Sequence, residues 1–156
     1  PPRSTHCISS AASDVYKRQG GNISHLITSV QGSSNYFKGS VISYSNEIKI
    51  KELNVKKEVL EKYGAVSEQV VRQMALGIRE KYNTDFSIAT SGIAGPGGAT
   101  DTKPVGFTWI AVACHDKVVA ENFFFGEHRG RNIQKASVVA LNMLRKILLK
   151  LLSEKK

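Results

Sequence analysis

Residues 85–98 constrain the fold of this chain more than any other stretch. Asp85-Phe86-Ser87-Ile88-Ala89-Thr90 is aromatic and apolar enough for a strand and far too short for a helix. It runs directly into Ser91-Gly92-Ile93-Ala94-Gly95-Pro96-Gly97-Gly98, where glycine and proline end any regular element. Those glycines permit positive φ and the close approach of another backbone or of a ligand.

On the N-terminal side of this strand, Ser67 reads as the cap of a helix whose buried stripe is Val70, Val71, Met74, Ala75 and Ile78. Before that, 57–63 reads as a short helix stopped by Gly64. On the C-terminal side, 106–113 and 117–125, separated by His115-Asp116, read as a β-hairpin. A last helix over 132–152 carries Ile133, Ser137, Ala140, Leu141, Leu144, Leu148 and Leu151 at helical spacing. Toward the N-terminus, Asn22 is the expected cap of a helix with Ile23, Leu26, Ile27 and Val30 on one face, and 39–45 is the expected strand, giving way to a helix near Asn46. A sheet covered by several helices follows, hence a layered α/β or α+β domain.

Composition removes several classes. The chain has 156 residues, 41% of them hydrophobic, and its 22 Lys and Arg against 13 Asp and Glu give a net charge of +9. One ordinary globular domain fits, and no apolar run approaches the roughly 18 residues a membrane span needs. The charge is concentrated at the ends: +2 over 1–19, +3 over 20–141 and +4 over 142–156. A basic last helical turn is what the helix dipole favours, and there is no aromatic-basic stripe, so nucleic acid is not the expected partner. Cys7 and Cys114 stand more than a hundred positions apart with no zinc spacing around the four histidines, which argues against a disulfide framework and a structural zinc site. Residues 1–19 show neither helical nor strand periodicity. They read as a tail, a foreign junction or a misassembled reading frame, and 153–156 read as a basic tail.

Three constellations carry possible chemistry. Tyr44, Asn46, Glu47 and Lys49 fall at a strand-to-helix junction, where α/β proteins place ligands and where a lysine moved out of water can act as a base. Solvated side chains at a helix start explain the same residues. Ser91, Thr100 and Lys103 with the intervening glycines can present main-chain N–H groups, hydroxyls and an ammonium to an anion, although the string matches neither the Walker pattern nor G-x-G-x-x-G before a helix. A tight inter-strand loop is the structural alternative. Arg129 and Arg131, in Gly126-Glu127-His128-Arg129-Gly130-Arg131-Asn132, can pair with a phosphate or simply be solvated.

Read together, Gly20-Gly21, Gly32-Ser33-Ser34, Ser43-Tyr44-Ser45-Asn46-Glu47-Ile48-Lys49, Gly64-Ala65-Val66-Ser67, the glycine-rich string 91–98 and Lys103-Pro104-Val105-Gly106 resemble one family, the C-terminal domain of CinA, also known as nicotinamide-nucleotide amidase. The resemblance runs from about Gly20 to Leu149. It implies a three-layer α/β/α sandwich with a mixed sheet flanked by helices. The implied enzyme hydrolyses nicotinamide mononucleotide to nicotinate mononucleotide and ammonia, needs no metal or cofactor, and forms a homodimer; with no secretory h-region and only two cysteines, the cytoplasm is the default location. It further implies proton transfer by Tyr44 and Lys49, and substrate contacts from Gly20, Gly21, Ser33, Asn46, Ser91, Gly92, Gly95, Thr100, Lys103 and one or both of Arg129 and Arg131.

One departure stands against this. The family signature T-A-E-S-C-T-G-G should end at Gly20-Gly21, which puts Lys17 in the place of the serine nucleophile and leaves the family's first helix and strand without a counterpart. An amide is a poor electrophile, so a chain without that hydroxyl is expected to be nearly inactive, and a domain lacking an interior strand is expected to be less stable. The alternatives are a non-catalytic nucleotide-binding or protein-interaction module, and a basic nucleic-acid binder.

Overall fold

The structure, a computed structural model, describes residues 8–14, 21–115 and 117–154, the first of these stretches through its backbone. Five strands form one mixed sheet: β1 (Ile8–Asp14), β2 (Phe37–Ile42), β3 (Phe86–Gly92), β4 (Phe107–Cys114) and β5 (Lys117–Phe124), in the order β2-β1-β3-β4-β5. β1 is parallel to both of its neighbours, whereas β3, β4 and β5 run antiparallel in turn. β2 and β5 are the open edges.

What decides the layering is size, not polarity. β3 is buried along its whole length, so it shows no alternation of polar and apolar residues, as expected of a strand covered on both faces. Phe86 and Ile88 of β3, with Ile110 and Val112 of β4, give the sheet a bulky face. It packs on Ile23 and Ile27 of α1 (Asn22–Thr28) and on Ala140, Met143 and Leu144 of α5 (Arg129–Ser153). The intervening Ala89, Ala111 and Ala113 form a shallow face against α4 (Glu68–Tyr82), whose Val70, Val71, Met74, Ala75 and Ile78 supply the bulk. Ser87, also on that face, donates its hydroxyl to the Ala75 carbonyl at 2.6 Å. α2 (Asn46–Leu53) and α3 (Lys57–Tyr63) complete this layer. The result is an α/β/α sandwich, as the resemblance implied.

The helices sit where their caps put them. Ser45 and Ser67 accept from the amides of Ile48 and Val70, and Gly64 ends α3 as expected. α2 reaches α4 closely enough that a Cβ on Gly77 would lie 1.8 Å from the Leu53 carbonyl oxygen. Glu52 of α2 pairs with Lys81 of α4, which holds the Glu52 carboxyl below its usual range.

Several expectations are corrected. Residues 8–14, read as part of a tail with the first strand missing, form the interior strand β1, matched to β2 from Ile8↔Phe37 to Ala12↔Ile42 and to β3 from Ile8↔Phe86 to Asp14↔Gly92. An interior parallel strand needs no period-two pattern, so periodicity could not reveal it. The stability deficit expected from a missing strand loses its basis. The other residues of 1–19 lie outside the described residues. Gly21, at φ 96°, caps α1 in place of Asn22, whose Nδ2 donates instead to the Ser137 hydroxyl at 2.7 Å. Val30 lies past the end of α1 and is exposed. β2 begins two residues before the expected strand and ends at Ile42, and β3 runs on through Gly92. α5 starts one turn earlier than 132, because the His128 ring nitrogen accepts from the Arg131 amide, and it ends at Ser153, inside the expected basic tail.

Replacing Gly77 with alanine is expected to destabilise the domain by about 2–3 kcal/mol, the upper part of the usual range for overpacking. Helix propensity alone would stabilise it by about 1 kcal/mol. Urea unfolding midpoints decide the sign.

Candidate functional site

The topology itself places the site. From β1 the chain crosses through α1, on the bulky face, to β2; from β2 it crosses through α2, α3 and α4, on the other face, to β3 on the far side of β1. Chain directions therefore diverge at the carboxyl ends of β1 and β3, the switch point where open α/β sheets bind ligands. β4 starts and β5 ends at this same edge, since Gly92 pairs with Thr108 and Phe107 with Phe124. Gly21, Tyr44, Asn46, the glycine-rich segment, the Thr100–Lys103 turn and the start of α5 are thus gathered along one edge.

Tyr44 and Lys49 stand over β2, on one flank of the crevice. Tyr44 is 43% exposed, whereas Lys49, on the inner side of α2 with Leu53, is 1% exposed. A lysine so deeply buried keeps its charge only beside a compensating partner. Asn46 is exposed on the first turn of α2, and Ser45 caps that turn.

The glycine-rich segment stands over β3, two strand spacings or roughly 10 Å away, and its glycines divide by cause. A Cβ on Gly92 would meet the Thr108 hydroxyl at 2.4 Å, and one on Gly95 (φ 94°) would meet Val105 at 2.4 Å. Those two are glycines because the protein itself packs on them. Gly98, at φ 88°, has only Ile93 near its missing Cβ, at 3.7 Å. The Ser91 hydroxyl points inward and donates to the Ala65 carbonyl at 2.7 Å. Thr100 and Lys103 close a turn through paired main-chain bonds of 3.0 and 3.2 Å, and the Lys103 ammonium donates to Tyr63 O at 3.0 Å, at the carboxyl end of α3. A cavity of about 420 Å³ opens beside this turn, lined by Pro96, Thr100, Pro104, Val105, Phe124 and Glu127 among others. It lies toward β5, on the side away from Tyr44 and Lys49.

Arg129 and Arg131 fall in the first turn of α5. Arg129 donates Nη1 to the Gly95 carbonyl at 2.9 Å, whereas Arg131 is exposed. Ser33 does not join this edge. It opens a single 3₁₀ turn (Ser33–Asn35) before β2, at the opposite edge, about six residues or 20 Å away along the strand. Lys17 and Gly20 lie outside the described residues.

One polar residue here escaped the sequence reading. Asn132, 2% exposed, donates from Nδ2 to Ala94 O at 3.1 Å and Gly126 O at 2.9 Å, while its Oδ1 is buried without a partner. The available signal was its spacing, since Asn132, Ala136 and Ala140 share the buried stripe of α5. Among the described residues no three His, Cys, Asp or Glu side chains gather as a metal site requires.

Fold and edge define a doubly wound α/β domain whose switch-point edge carries a buried lysine on one side and a glycine-rich segment on the other. Residues 8–148 match the family described as the CinA C-terminal domain, and the chain belongs to that family. It is 46% identical over 127 residues to a CinA-like protein of Cytophaga hutchinsonii, covering 81% of this chain and 30% of that one. It is 48% identical over 130 residues to a putative competence-damage inducible protein of Caldicellulosiruptor saccharolyticus, covering 83% and 32%. The chain thus spans about a third of the length of these relatives. Among solved structures, the competence damage-inducible protein A of Klebsiella pneumoniae superposes with a TM-score of 0.87 at 29% identity, over 93% of this chain and 88% of that one. A competence/damage inducible protein of Agrobacterium tumefaciens gives 0.86 at 33% identity, over 91% and 85%. No helix among the described residues is long and apolar enough to cross a membrane.

Cys114 stands apart from the switch-point edge. It ends β4 at the opposite edge, opposite Phe86, and burial pushes its thiol above the ordinary range. A raised pKa lowers the thiolate fraction at pH 8. Alkylation of the peptide carrying Cys114 is therefore expected to be slow in the folded protein and fast in denaturant, as read by mass spectrometry.

Proposed function

We propose that this chain is an amidase domain for a pyridine mononucleotide, converting nicotinamide mononucleotide and water to nicotinate mononucleotide and ammonia in nucleotide salvage, with turnover impaired by the loss of its nucleophile. The observation that carries the reading is the switch-point edge, with Tyr44 and buried Lys49 on one side and the glycine-rich segment with the start of α5 on the other, in a chain of the CinA C-terminal family.

In that chemistry a hydroxyl oxygen adds to the carboxamide carbon and the C–N bond breaks. Ammonia leaves with a proton, and water then cleaves the ester to release the carboxylate. Tyr44 and Lys49 move the protons between hydroxyl, leaving nitrogen and water. The open surroundings of Gly21 and Gly98 and the exposed Asn46 and Arg131 are the groups left to meet a mononucleotide. Thr100 and Lys103 shape the wall beside them. Because Lys17 stands where the family carries its serine, the chain binds its substrate and turns it over slowly. A mononucleotide-binding module without turnover is the second reading, favoured by that same lysine.

The test compares ammonia release from nicotinamide mononucleotide by this chain and by a version in which residues 14–19 become T-A-E-S-C-T, both shown to be folded. Activity confined to the repaired version is expected, and equal activity in both would move the nucleophile elsewhere. In the repaired version, Tyr44→Phe and Lys49→Met are each expected to lower kcat by at least about a hundredfold, the usual contribution of a positioned acid or base. The reading carries a homodimer as well, so sedimentation equilibrium should give about twice the chain mass of 17.1 kDa.

A further inference from the structure

We propose that Asn132 is the positioning residue that holds the glycine-rich segment 94–99 in its ligand-facing conformation, an inference that rests on the mononucleotide reading above. Main-chain hydrogen bonding fails along this segment. Ile93 is tied at the base by its amide to Phe107 O at 2.9 Å and by its carbonyl to the Gly106 amide at 2.6 Å, and the next main-chain bonds are those of Thr100 with Lys103. Among the described residues nothing on the backbone secures the stretch between. Two side chains of the first turn of α5 do so instead: Asn132 holds the Ala94 carbonyl and Arg129 the Gly95 carbonyl.

The Asn132 amide is committed to this task at a cost to itself. Both of its acceptors are carbonyl oxygens, which only the NH2 group can satisfy, so the orientation of the amide is fixed. Its second N–H reaches Gly126 O, joining the link between β5 and α5 to the same clamp. Oδ1 is then left buried with no partner, and an unsatisfied buried acceptor carries its full desolvation penalty. A leucine of similar shape would remove that orphan, but it would strand the Ala94 and Gly126 carbonyls. The clamp also fixes the segment to a helix of 25 residues, so the ligand-facing wall inherits the rigidity of the longest element in the fold.

The test uses Asn132→Asp, which keeps the shape and sets an oxygen against two carbonyl oxygens. Ser137→Ala serves as a control that removes a hydrogen bond from the same helix, away from the segment. Backbone order parameters at the amides of Ala94, Gly95 and 97–99 in the free protein, from NMR relaxation, are expected to fall from about 0.85 to below about 0.6 in Asn132→Asp and to stay unchanged in Ser137→Ala. The loss of order should shrink as pH drops and the introduced carboxyl takes up a proton, which returns one donor; simple loosening of the core would show no such recovery. The dissociation constant for nicotinamide mononucleotide, by calorimetry, is expected to rise at least tenfold. Unchanged order in 94–99, or equal loss in the control, overturns the proposal. A loosened segment with unchanged affinity overturns the ligand-positioning role. If Asn132→Asp does not fold, Asn132→Ala carries the same expectations for order and affinity. If the parent chain binds no mononucleotide, the functional reading fails while the relaxation comparison still decides whether Asn132 holds the segment.

Discussion

The difference in side-chain size between the two faces of β3 and β4 is the constraint on which the rest depends. Alanines and a serine on one face let α4 descend onto the sheet, and α4 in turn brings α2 so near that a glycine is required where they touch. The larger Phe86, Ile88, Ile110 and Val112 leave α1 and α5 to be spaced by bulk on the other side. Lys49 lies on the inner side of α2 with Leu53 and is buried there. The helix that carries a group proposed to move protons thus packs on a layer seated on alanines two and three strands away from it.

The same layering explains why the candidate site is assembled from so many chain segments. With α1 on one face and α2 to α4 on the other, the backbone parts at β1 and β3, and the described residues reach the gap from several segments. Each flank is supported separately: the Tyr44 side by the Ser45 cap, the glycine-rich side by side chains from α5. Most polar groups of the second flank that seem free in the sequence, namely the hydroxyl of Ser91, the ammonium of Lys103 and one guanidinium nitrogen of Arg129, serve carbonyls of the protein first. That leaves recognition to fewer groups than the sequence offers.

Legibility followed the physics of each element. α3 with its Gly64 stop, the Ser67 cap and the stripe of α4 were readable because they are local and amphipathic. The junction carrying Tyr44 and Lys49 was readable because a β-branched run meets a polar helical one there. β1 was not, since Ile-Ser-Ser-Ala-Ala-Ser-Asp has no period and its pairing partners lie on other strands. The first turn of α5 was hidden by Gly130 and its charges, although His128 supplies the cap. Ser33 falls before β2 and not after it, which a short Gly-Ser-Ser string by itself does not show.

The open edge of β5 has its own consequence. The outward-facing main-chain groups of an edge strand invite another strand, and folded proteins guard such edges with charge; here Arg72 Nη1 already donates to the Val118 carbonyl at 2.6 Å. Lys117 and Glu121 lie on one face of that strand, with Val119 between them. A stray segment adding itself there would have to strip water from both charges. Among the described residues hydration at those two positions is thus what stands against strand addition at this edge.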